Sequence, residues 1–349
     1  MATGSKAFTD GQPDSLYQTP QRVFIVIVNY KTADLTITCL RSLEREVKAN
    51  FWVRVTVVDN DSGDGDVIAA SIRENGWGFW ASVIVAEHNG GFSYGNNRGI
   101  EAGMSLQQTP DYFLLLNPDT EVRPGAIAAL VNYLDTHPDV GIAGGSFETQ
   151  DGVEWPYAFR FPTIPSQFDK GARFAPISWL LRKWATAITM GKEPAQVDWV
   201  SGASMMVRRK LIEDIGLLDD GYFLYFEEVD FCLRARRAGW LCSYVPQSRV
   251  MHIFGQSTGF SAGAKALKRM PSYWFSSRTR YFVKNHGLTY ARIADLAYGL
   301  GLILWSLRRL IRKKKDNNPP GMLADFWRSS ILFRSRRHVQ RLLEGQPSE

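Results

Sequence analysis

The stretch RVFIVIVNY, residues 22–30, is a run of Val and Ile that stops at a polar turn. A short apolar run rich in β-branched residues predicts a buried β-strand. The next segment, residues 33–47, places apolar side chains at helical spacing and so predicts an α-helix. These apolar positions are Leu35, Cys39, Leu40 and Leu43. A strand followed at once by a helix is the opening unit of an α/β fold.

The alternation continues along the first third of the chain. Further predicted strands are WVRVTVVDN at 52–60, SVIVAEH at 82–88 and DYFLLLNPDT at 111–120. A helical stretch lies between the first two of these strands, and a loop rich in Gly and Asn, residues 88–99, lies between the last two. This order predicts an α/β fold with a mostly parallel, doubly wound, Rossmann-like sheet flanked by helices.

Composition limits the class of protein. The 349 residues carry a net charge of +6, which favours anionic partners such as nucleotide phosphates, acidic lipid or nucleic acid. Three cysteines without a CxxC pair argue against a disulfide framework or a zinc ribbon, and indicate a reducing compartment. Residues 1–20 are polar and contain no apolar core, so they predict a flexible leader and not a secretory signal.

The chain changes character after residue 258. Residues 291–307 are nearly uncharged, with Arg292 and Asp295 as the exceptions, and RRLIRKKK follows at 308–315. A bilayer-spanning helix needs about 20 apolar residues, so this stretch predicts an interfacial helix with a basic end. The alternatives are a helix that packs on the rest of the protein, or a dimer interface. We therefore expect a leader (1–20), an α/β domain (21–258) and a helical basic extension (259–349) in peripheral contact with a membrane.

Polar clusters follow several predicted strands. Two acids, Asp59 and Asp119, end the second and fourth strands, and Glu227 and Glu228 open a later predicted helix. His252 follows a further short strand. Because ligands of open α/β sheets bind beyond the carboxyl ends of the strands, we expect these side chains to converge on one site.

Six segments in a fixed order carry a resemblance to a known family. They are IVNYKT, VVDNDSGDG, HNGGFSYGNNRGI, LLLNPDT, VDWVSGASMMVRRKLIEDIGLLDDGYFLYFEEVDFCLRARRAGW and YVPQSRVMHIFGQS. With them the chain resembles the inverting glycosyltransferases of family 2, which have the GT-A fold, and within them the rhamnosyltransferase-like branch. The resemblance covers roughly residues 22–257. Single motifs recur by chance, and it is the order of all six that gives the resemblance its weight.

The resemblance implies a nucleotide-sugar donor, dTDP- or UDP-linked. It implies that Asp59 accepts a hydrogen bond from the imide N–H of a uracil or thymine base. An ionised carboxylate suits this donor because it can only accept. The alternative for Asp59 is a turn residue. Loop glycines allow close backbone approach, and Arg98 suits a phosphate, whereas the alternative is a loop that only needs flexible turns. The residues expected around the donor are Asn29, Asp59, Asn60, Asn89, Gly90, Asn97, Arg98 and Asn117.

A divalent metal, Mg²⁺ or Mn²⁺, is also implied by the resemblance. Asp119 stands at the second acid of the family's DxD motif, but Asn117 replaces the first. Asn is a weaker ligand, although Mg²⁺ is commonly held by one or two carboxylates together with substrate phosphates. By resemblance, His252 is the second protein ligand. The alternatives are a plain Asn-Pro-Asp turn and a structural histidine.

Inverting transfer needs a base that deprotonates the acceptor hydroxyl as it attacks the anomeric carbon. The resemblance places Glu228 at the position of that base, where the family has Asp, with Glu227 orienting the acceptor or the base. At a helix N-terminus we expect Glu228 to stay ionised near neutral pH. For Asp230 we favour a structural role, an ion pair with Arg234 four residues on.

The sequence thus predicts an inverting, metal-dependent hexosyltransferase at the cytoplasmic face of the cell membrane. The first expectation is L-rhamnose from dTDP-L-rhamnose, transferred to a cell-surface glycan or polyprenyl-linked intermediate. A UDP-sugar transferase is the nearest alternative, and the absent acid at Asn117 leaves open an inactive nucleotide-sugar-binding protein. No nucleic-acid motif is present, so we expect no nucleic-acid partner. A homodimer is a further expectation.

Overall fold

The computed structural model describes residues 21–47, 52–253, 268–313, 316 and 318–344, with Arg336 described by its backbone only. The predicted leader, 1–20, and the predicted boundary at 258/259 lie outside these ranges. The α/β class is confirmed by one large sheet with helices on both faces.

The elements of the first half alternate between strands and helices, with one helix where a loop was predicted. They are β1 (Arg22–Asn29), α1 (Ala33–Val47), β2 (Trp52–Asp59), α2 (Gly65–Glu74), β3 (Ala81–Val85), α3 (Gly91–Met104), β4 (Tyr112–Leu116), β5 (Thr120–Val122), α4 (Ala126–Thr136) and β6 (Val140–Glu148). The stretch after β6 folds as short pieces: β7 (Glu154–Trp155), β8 (Tyr157–Phe159), α5 (Ile164–Ala172), α6 (Ala175–Leu180), a 3₁₀ turn (Arg182–Trp184), β9 (Ala187–Thr189) and β10 (Ala195–Val197).

The second half completes the sheet and adds helices. Its elements are β11 (Ser204–Arg208), α7 (Arg209–Ile215), α8 (Glu227–Arg237), β12 (Leu241–His252), α9 (Ser272–Ile311), α10 (Met322–Ser329), a 3₁₀ turn (Ile331–Phe333) and α11 (Arg336–Leu343). The helix predicted to open near Glu227 therefore begins there. His252 was expected after a short strand but is the last residue of a long one.

The main sheet has the order β10-β12-β6-β11-β4-β1-β2-β3. Strands β4, β1, β2 and β3 are parallel, whereas β11 runs antiparallel to both of its neighbours. Because β1 is buried on both faces, its sequence is a continuous apolar run and not an alternating one. Val23, Ile25 and Ile27 pack on the side of α1, α2 and α4, and Phe24 and Val26 pack on the side of α3 and α8.

The predicted Gly/Asn loop is mostly a helix, which corrects the interpretation of its glycines. α3 begins at Gly91, and Gly95, Gly99 and Gly103 recur on the face that meets β1. A Cβ atom at Gly99 would lie 2.3 Å from Val26, far inside van der Waals contact. These glycines therefore serve close packing of a helix on a strand and not turn flexibility.

α9 is not one straight helix. Gly287, at φ 83° and ψ 166°, has a backbone conformation that is essentially restricted to glycine, and the chain reverses there. As a result the side chains of the two halves meet: Arg278 pairs with Asp295, and the Trp274 and Tyr298 rings lie 6.2 Å apart. In a continuous helix Arg278 and Asp295 would be roughly 25 Å apart. Residues 272–286 and 288–311 thus form an antiparallel helical hairpin.

Candidate active site at the carboxyl ends of the strands

Asn29 and Asp59 are register partners at the ends of β1 and β2, and both are fully buried. Asn29 Nδ2 donates to Asp59 Oδ1 at 2.9 Å, to Ser62 Oγ at 3.1 Å and to Asp64 Oδ2 at 3.0 Å. Its Oδ1 accepts from Thr36 Oγ1 at 2.8 Å. Asn29 therefore holds the turn that contains Ser62 and Asp64.

Asp59 is held from several sides. Its Oδ1 also accepts a hydrogen bond from Ser62, and its Oδ2 accepts from the Gly65 backbone amide at 3.2 Å. Sequence reasoning missed Ser62 and Asp64, although both lie in the quoted VVDNDSGDG turn. The contact of Asp59 with a base stays a prediction, and in this structure its carboxylate organises the turn that leads into α2.

Asn60, Asn89 and Gly90 meet at one corner of the site. Asn60 Nδ2 donates to Asn89 Oδ1 at 2.9 Å and to Gly91 O at 3.0 Å. Asn89 Oδ1 accepts in addition from the Gly91 amide at 3.1 Å. The buried Oδ1 of Asn60 has no hydrogen-bond partner among the described residues. This corner carries an unused acceptor atom where a nucleotide donor is expected.

Asn97 and Arg98 each bond to other residues of the protein. Asn97 is buried, and its amide donates to Leu218 O and Asp220 Oδ1 and accepts from the Leu218 amide. Both of its side-chain polar atoms are thus bonded to the loop after α7. Arg98 is half-buried and pairs with Glu101 at 2.8 Å. Donor contacts for these two residues stay predictions, and the structure shows both engaged within the protein.

Asp119 and His252 are brought together by the pairing of β5 with the end of β12. Asp119 Oδ1 lies 3.2 Å from His252 Nε2, both side chains are buried, and the Ile253 amide donates to Asp119 O at 2.9 Å. Asn117 stands at the end of β4, half-buried, and its backbone amide donates to Ala203 O at 3.0 Å.

A divalent cation fits the donor set of this pair. A carboxylate oxygen and an imidazole nitrogen lie next to one another, and this combination of ligand types suits Mn²⁺ as well as Mg²⁺. In the described part of the chain, no third His, Cys, Asp or Glu completes a metal cluster with them. Two protein ligands leave the remaining positions to donor phosphates and water, which is the usual arrangement for Mg²⁺ in nucleotide enzymes.

Glu227 and Glu228 begin α8 after an unusual approach. Tyr225 and Phe226, at φ 70° each, are both left-handed, a strained conformation for two successive bulky residues. Such strain is concentrated at functional sites. The Oε2 atoms of both glutamates are buried without a hydrogen-bond partner among the described residues. Two carboxylates are therefore held in place with lone pairs unused.

Burial changes the expected charge of these acids. It raises the pKa of Glu228 to about 7, against backbone hydrogen bonds that lower it. Burial and the neighbouring Glu228 carboxylate raise the pKa of Glu227 as well. With a pKa of about 7, Glu228 is only partly ionised at neutral pH, less than a helix N-terminus alone would give, because desolvation outweighs the helix dipole. A carboxyl with a pKa near 7 has the proton affinity of an efficient general base.

The structural role expected for Asp230 is confirmed. Arg234 Nε donates to Asp230 Oδ2 at 3.0 Å, and Lys284 and Asn285 from α9 donate to the same carboxylate at 2.8 and 2.7 Å. Tyr222 completes the set at 3.2 Å. Asp230 thus ties α8 to the α9 hairpin, a long-range connection that helical spacing cannot reveal.

A short turn joins the metal pair to the glutamates. The Ala203 carbonyl bonds the Asn117 amide, and Gly202 packs beside Glu228, whose Cβ lies 3.7 Å from the place a Gly202 Cβ would occupy. The α3 N-terminus closes the other side, where the Phe92 amide donates to Phe223 O at 2.7 Å. This turn therefore has the glutamates on one side and Asn117, two residues before Asp119, on the other.

Known structures show which fold this site belongs to. The chain superimposes on GalNAc-T7, solved with UDP, GalNAc and Mn²⁺, with a TM-score of 0.53 and 15% identity, over 84% of this chain and 57% of that one. A likeness at this identity concerns the fold. The mixed sheet with its polar rim and flanking helices is the GT-A fold of glycosyltransferases.

The sequence family is equally definite. Residues 20–270 match the model of the glycosyltransferase-like family 2, and the chain belongs to that family. It is 29% identical to the N-acetylglucosaminyl-diphospho-decaprenol L-rhamnosyltransferase of Mycobacterium tuberculosis, over 84% of this chain and 89% of that protein. It is 26% identical to the rhamnosyltransferase WbbL of Escherichia coli K12, over 46% of this chain and 60% of that protein. The chain is a glycosyltransferase.

Proposed function

We propose that this glycosyltransferase moves L-rhamnose from dTDP-L-rhamnose, with inversion, onto a polyprenyl-diphosphate-linked glycan at the cytoplasmic face of the membrane. The proposal rests on two features that lie near the turn at Gly202. One is the buried Asp–His pair, and the other is Glu228, whose buried Oε2 has no hydrogen-bond partner among the described residues. The similarity to a rhamnosyltransferase over most of both chains supports the choice of sugar and acceptor.

Each residue has a distinct role in this proposal. Glu228, ionised, accepts the proton of the acceptor hydroxyl as its oxygen bonds the anomeric carbon and the bond to the nucleoside diphosphate breaks. Glu227 positions the acceptor or Glu228. Asp119 and His252 would hold the divalent cation. When bound there, the cation supplies positive charge that stabilises the departing diphosphate.

The donor side of the proposal rests on the loops at β1, β2 and α3. Asp59 would meet the base, and the corner at Asn60 offers its unused oxygen to the nucleoside. A UDP-sugar would satisfy the same carboxylate, because uracil and thymine share the imide N–H. Recognition of the nucleobase by Asp59 therefore does not select the donor sugar, and the transfer assay identifies it.

The test is a transfer assay with a short polyprenyl diphosphate carrying N-acetylglucosamine, followed by mass spectrometry. Separate reactions contain dTDP-L-rhamnose or a UDP-hexose, each with Mn²⁺ or Mg²⁺. The proposal expects a mass increase of one deoxyhexose with dTDP-L-rhamnose. Transfer from a UDP-hexose alone would contradict the rhamnose assignment. If donors bind, as shown by a raised melting temperature, but are never consumed, the protein is a nucleotide-sugar-binding protein instead.

A further inference from the structure

One face of the second half of α9 is apolar and open to solvent. Its side chains recur at alternating spacings of three and four residues, which places them in one stripe along the helix. We call these residues the α9 stripe: Ile293, Leu296, Leu300, Ile303, Leu307 and Leu310. Their exposed fractions run from 36% at Ile303 to 64% at Leu310. The opposite face, with Tyr298 and Leu302, is buried against α5 and α10.

A basic groove adjoins the end of the stripe. It has a volume of about 370 Å³ and lies between the start of α6 and the last turns of α9. We call it the arginine groove, lined by Arg173, Phe174, Trp305, Arg308, Arg309 and Arg312. Arg308 lies on the Phe174 ring, 3.8 Å from its centroid, and Arg309 pairs with Asp316 at 3.6 Å. Among the described residues that line this groove, four are arginines and none is acidic, so the groove is positively charged.

The reversal at Gly287 directs both features toward the catalytic end. Trp274, at the start of α9, is level with Tyr298, so residues 299–311 extend roughly 20 Å beyond that level. The start of α9 contacts the segment that precedes Glu227. The Tyr273 and Phe223 rings lie 5.2 Å apart, and Ser277 Oγ donates to Leu224 O at 2.9 Å. The projecting end therefore lies on the side where α8 begins.

We propose that the α9 stripe and the arginine groove together form the surface by which the protein binds an anionic lipid bilayer. The stripe would enter the boundary between headgroups and acyl chains, and the groove would take a lipid phosphate. This inference rests on the proposed function only in its purpose, since a bilayer is where a polyprenyl-linked acceptor would be met. No described helix is both long and apolar enough to span a bilayer.

Charge decides between a bilayer and a second copy of the chain. Between residues 288 and 311 Asp295 is the one acid, and it is buried in its pair with Arg278. A second copy on the stripe would bring arginines near arginines without an acidic partner from this segment. An anionic bilayer supplies negative charge for Arg292 and for the arginines at the end of the helix. Exposed Trp179 and Leu180 at the end of α6 add apolar contact area near the groove.

The test is flotation of the full chain with two kinds of vesicle. One contains phosphatidylcholine alone, and the other contains equal parts of phosphatidylcholine and phosphatidylglycerol. We expect binding to the mixed vesicles, weaker at high salt, and at least tenfold weaker binding to phosphatidylcholine alone. The double variant Leu307→Ser/Leu310→Ser should lose binding at least tenfold, and Arg312→Glu should remove the preference for the anionic vesicles.

A matched control separates the stripe from general surface hydrophobicity. Val67 and Phe79 have exposed fractions of 55% and 67%, which are similar to the 54% and 64% of Leu307 and Leu310. Both control residues belong to the first half of the sequence, outside α9. Val67→Ser/Phe79→Ser should bind vesicles like the parent. Equal loss in both double variants would overturn the proposal. So would a parent dimer that the stripe variant turns into a monomer without any change in vesicle binding, which would assign the stripe to a second copy.

Failure of this inference is distinguishable from failure of the proposed function. Stripe variants should keep the melting temperature of the parent and its rise with dTDP, because the altered side chains are exposed. A protein that binds anionic vesicles but transfers no rhamnose would contradict the proposed function and leave the docking surface intact. A protein that transfers rhamnose to a short soluble acceptor but ignores anionic vesicles would sink the docking surface alone.

Discussion

Asp119 Oδ1 lies 3.2 Å from His252 Nε2, although the two residues belong to distant parts of the chain. The antiparallel pairing of β5 with β12 sets His252 opposite Thr120, next to Asp119. Asp119 lies in the turn before β5 and His252 ends β12, so strand pairing brings the two side chains together without a flexible loop. The pair can therefore form before the donor arrives.

We predict that Asp119 and His252 set the Mn²⁺ concentration that half-maximal transfer requires. Asp119→Ala and His252→Ala should each raise the Mn²⁺ concentration for half-maximal activity at least tenfold, because each removes one of two protein ligands. Asn117→Ala should have a smaller effect, since an amide oxygen is the weaker ligand. The measurement is a Mn²⁺ titration of transfer, with Mn²⁺ binding followed separately by calorimetry. If only the Asn117 change alters the titration, the ligands are assigned wrongly.

The base makes a prediction about activity against pH. Glu228 must be ionised to accept a proton, and its pKa is raised to about 7 by burial, so transfer should fall as pH drops through about 7. Glu228→Gln should lower kcat by at least a factor of about 100 and leave dTDP binding unchanged. Glu228→Asp, which restores the carboxylate with a shorter arm, should keep part of the activity. Full activity in the Gln variant excludes Glu228 as the base.

The same pKa makes a prediction about folding stability. An acid whose pKa rises from 4.5 to about 7 on folding stabilises the folded state below pH 4.5 relative to higher pH, and this stabilisation is lost as pH rises through 7. Glu228→Gln should therefore raise the free energy of unfolding at pH 8 relative to pH 5, by on the order of 3 kcal/mol. Urea unfolding at both pH values measures this, with exposed Glu213→Gln as the control. An equal effect at both pH values would contradict the burial of the charge.

The pair Arg278–Asp295 makes a prediction about the hairpin. Both side chains are almost fully buried, and Asp295 Oδ2 also accepts from Ser330 Oγ and the Ile331 amide at 2.7 and 2.8 Å. Asp295→Ala leaves an unpaired buried guanidinium and should cost about 3–5 kcal/mol in unfolding free energy. The apolar double variant Arg278→Met/Asp295→Leu should cost less than Asp295→Ala. Equal losses would mean that packing, not charge, accounts for the effect.

A surface pair provides the reference for that experiment. Arg209 and Glu213 are four residues apart on α7, 2.8 Å from one another and partly exposed. Glu213→Ala should cost no more than about 0.5 kcal/mol, because solvent screens both charges. The contrast between the two pairs tests whether burial, and not the ion-pair geometry, sets the cost.

Much of the fold could be predicted because its signals are local. β1 and β2 are runs of Val and Ile that need both faces covered, and α8 opens on acids and stops before Gly239. The choice of Asp119 and His252 came from the family resemblance. Their proximity follows from strand pairing, which neither residue type encodes. The metal role itself stays a prediction.

What could not be predicted depends on the assembled fold. The α3 glycines suggested a loop, because glycine favours turns as readily as it allows a helix to approach a strand. The raised pKa of Glu228 depends on burial that only tertiary packing supplies. Gly287 is a single glycine within a helical pattern. The residues beside it carry no sequence signal for a reversal of the chain. Ser62 and Asp64 support Asp59 through contacts that are visible only once β1 lies beside β2.

Gly287 has a consequence for how the enzyme meets its acceptor. If residues 272–311 formed one rod, they would reach about 60 Å in a single direction, away from the first turn of α8. The reversal at Gly287 folds the second half of the helix back. Its apolar, positively charged end therefore lies on the same side as the first turn of α8. In the proposed docking, this one glycine therefore sets which way the glutamates face relative to the bilayer.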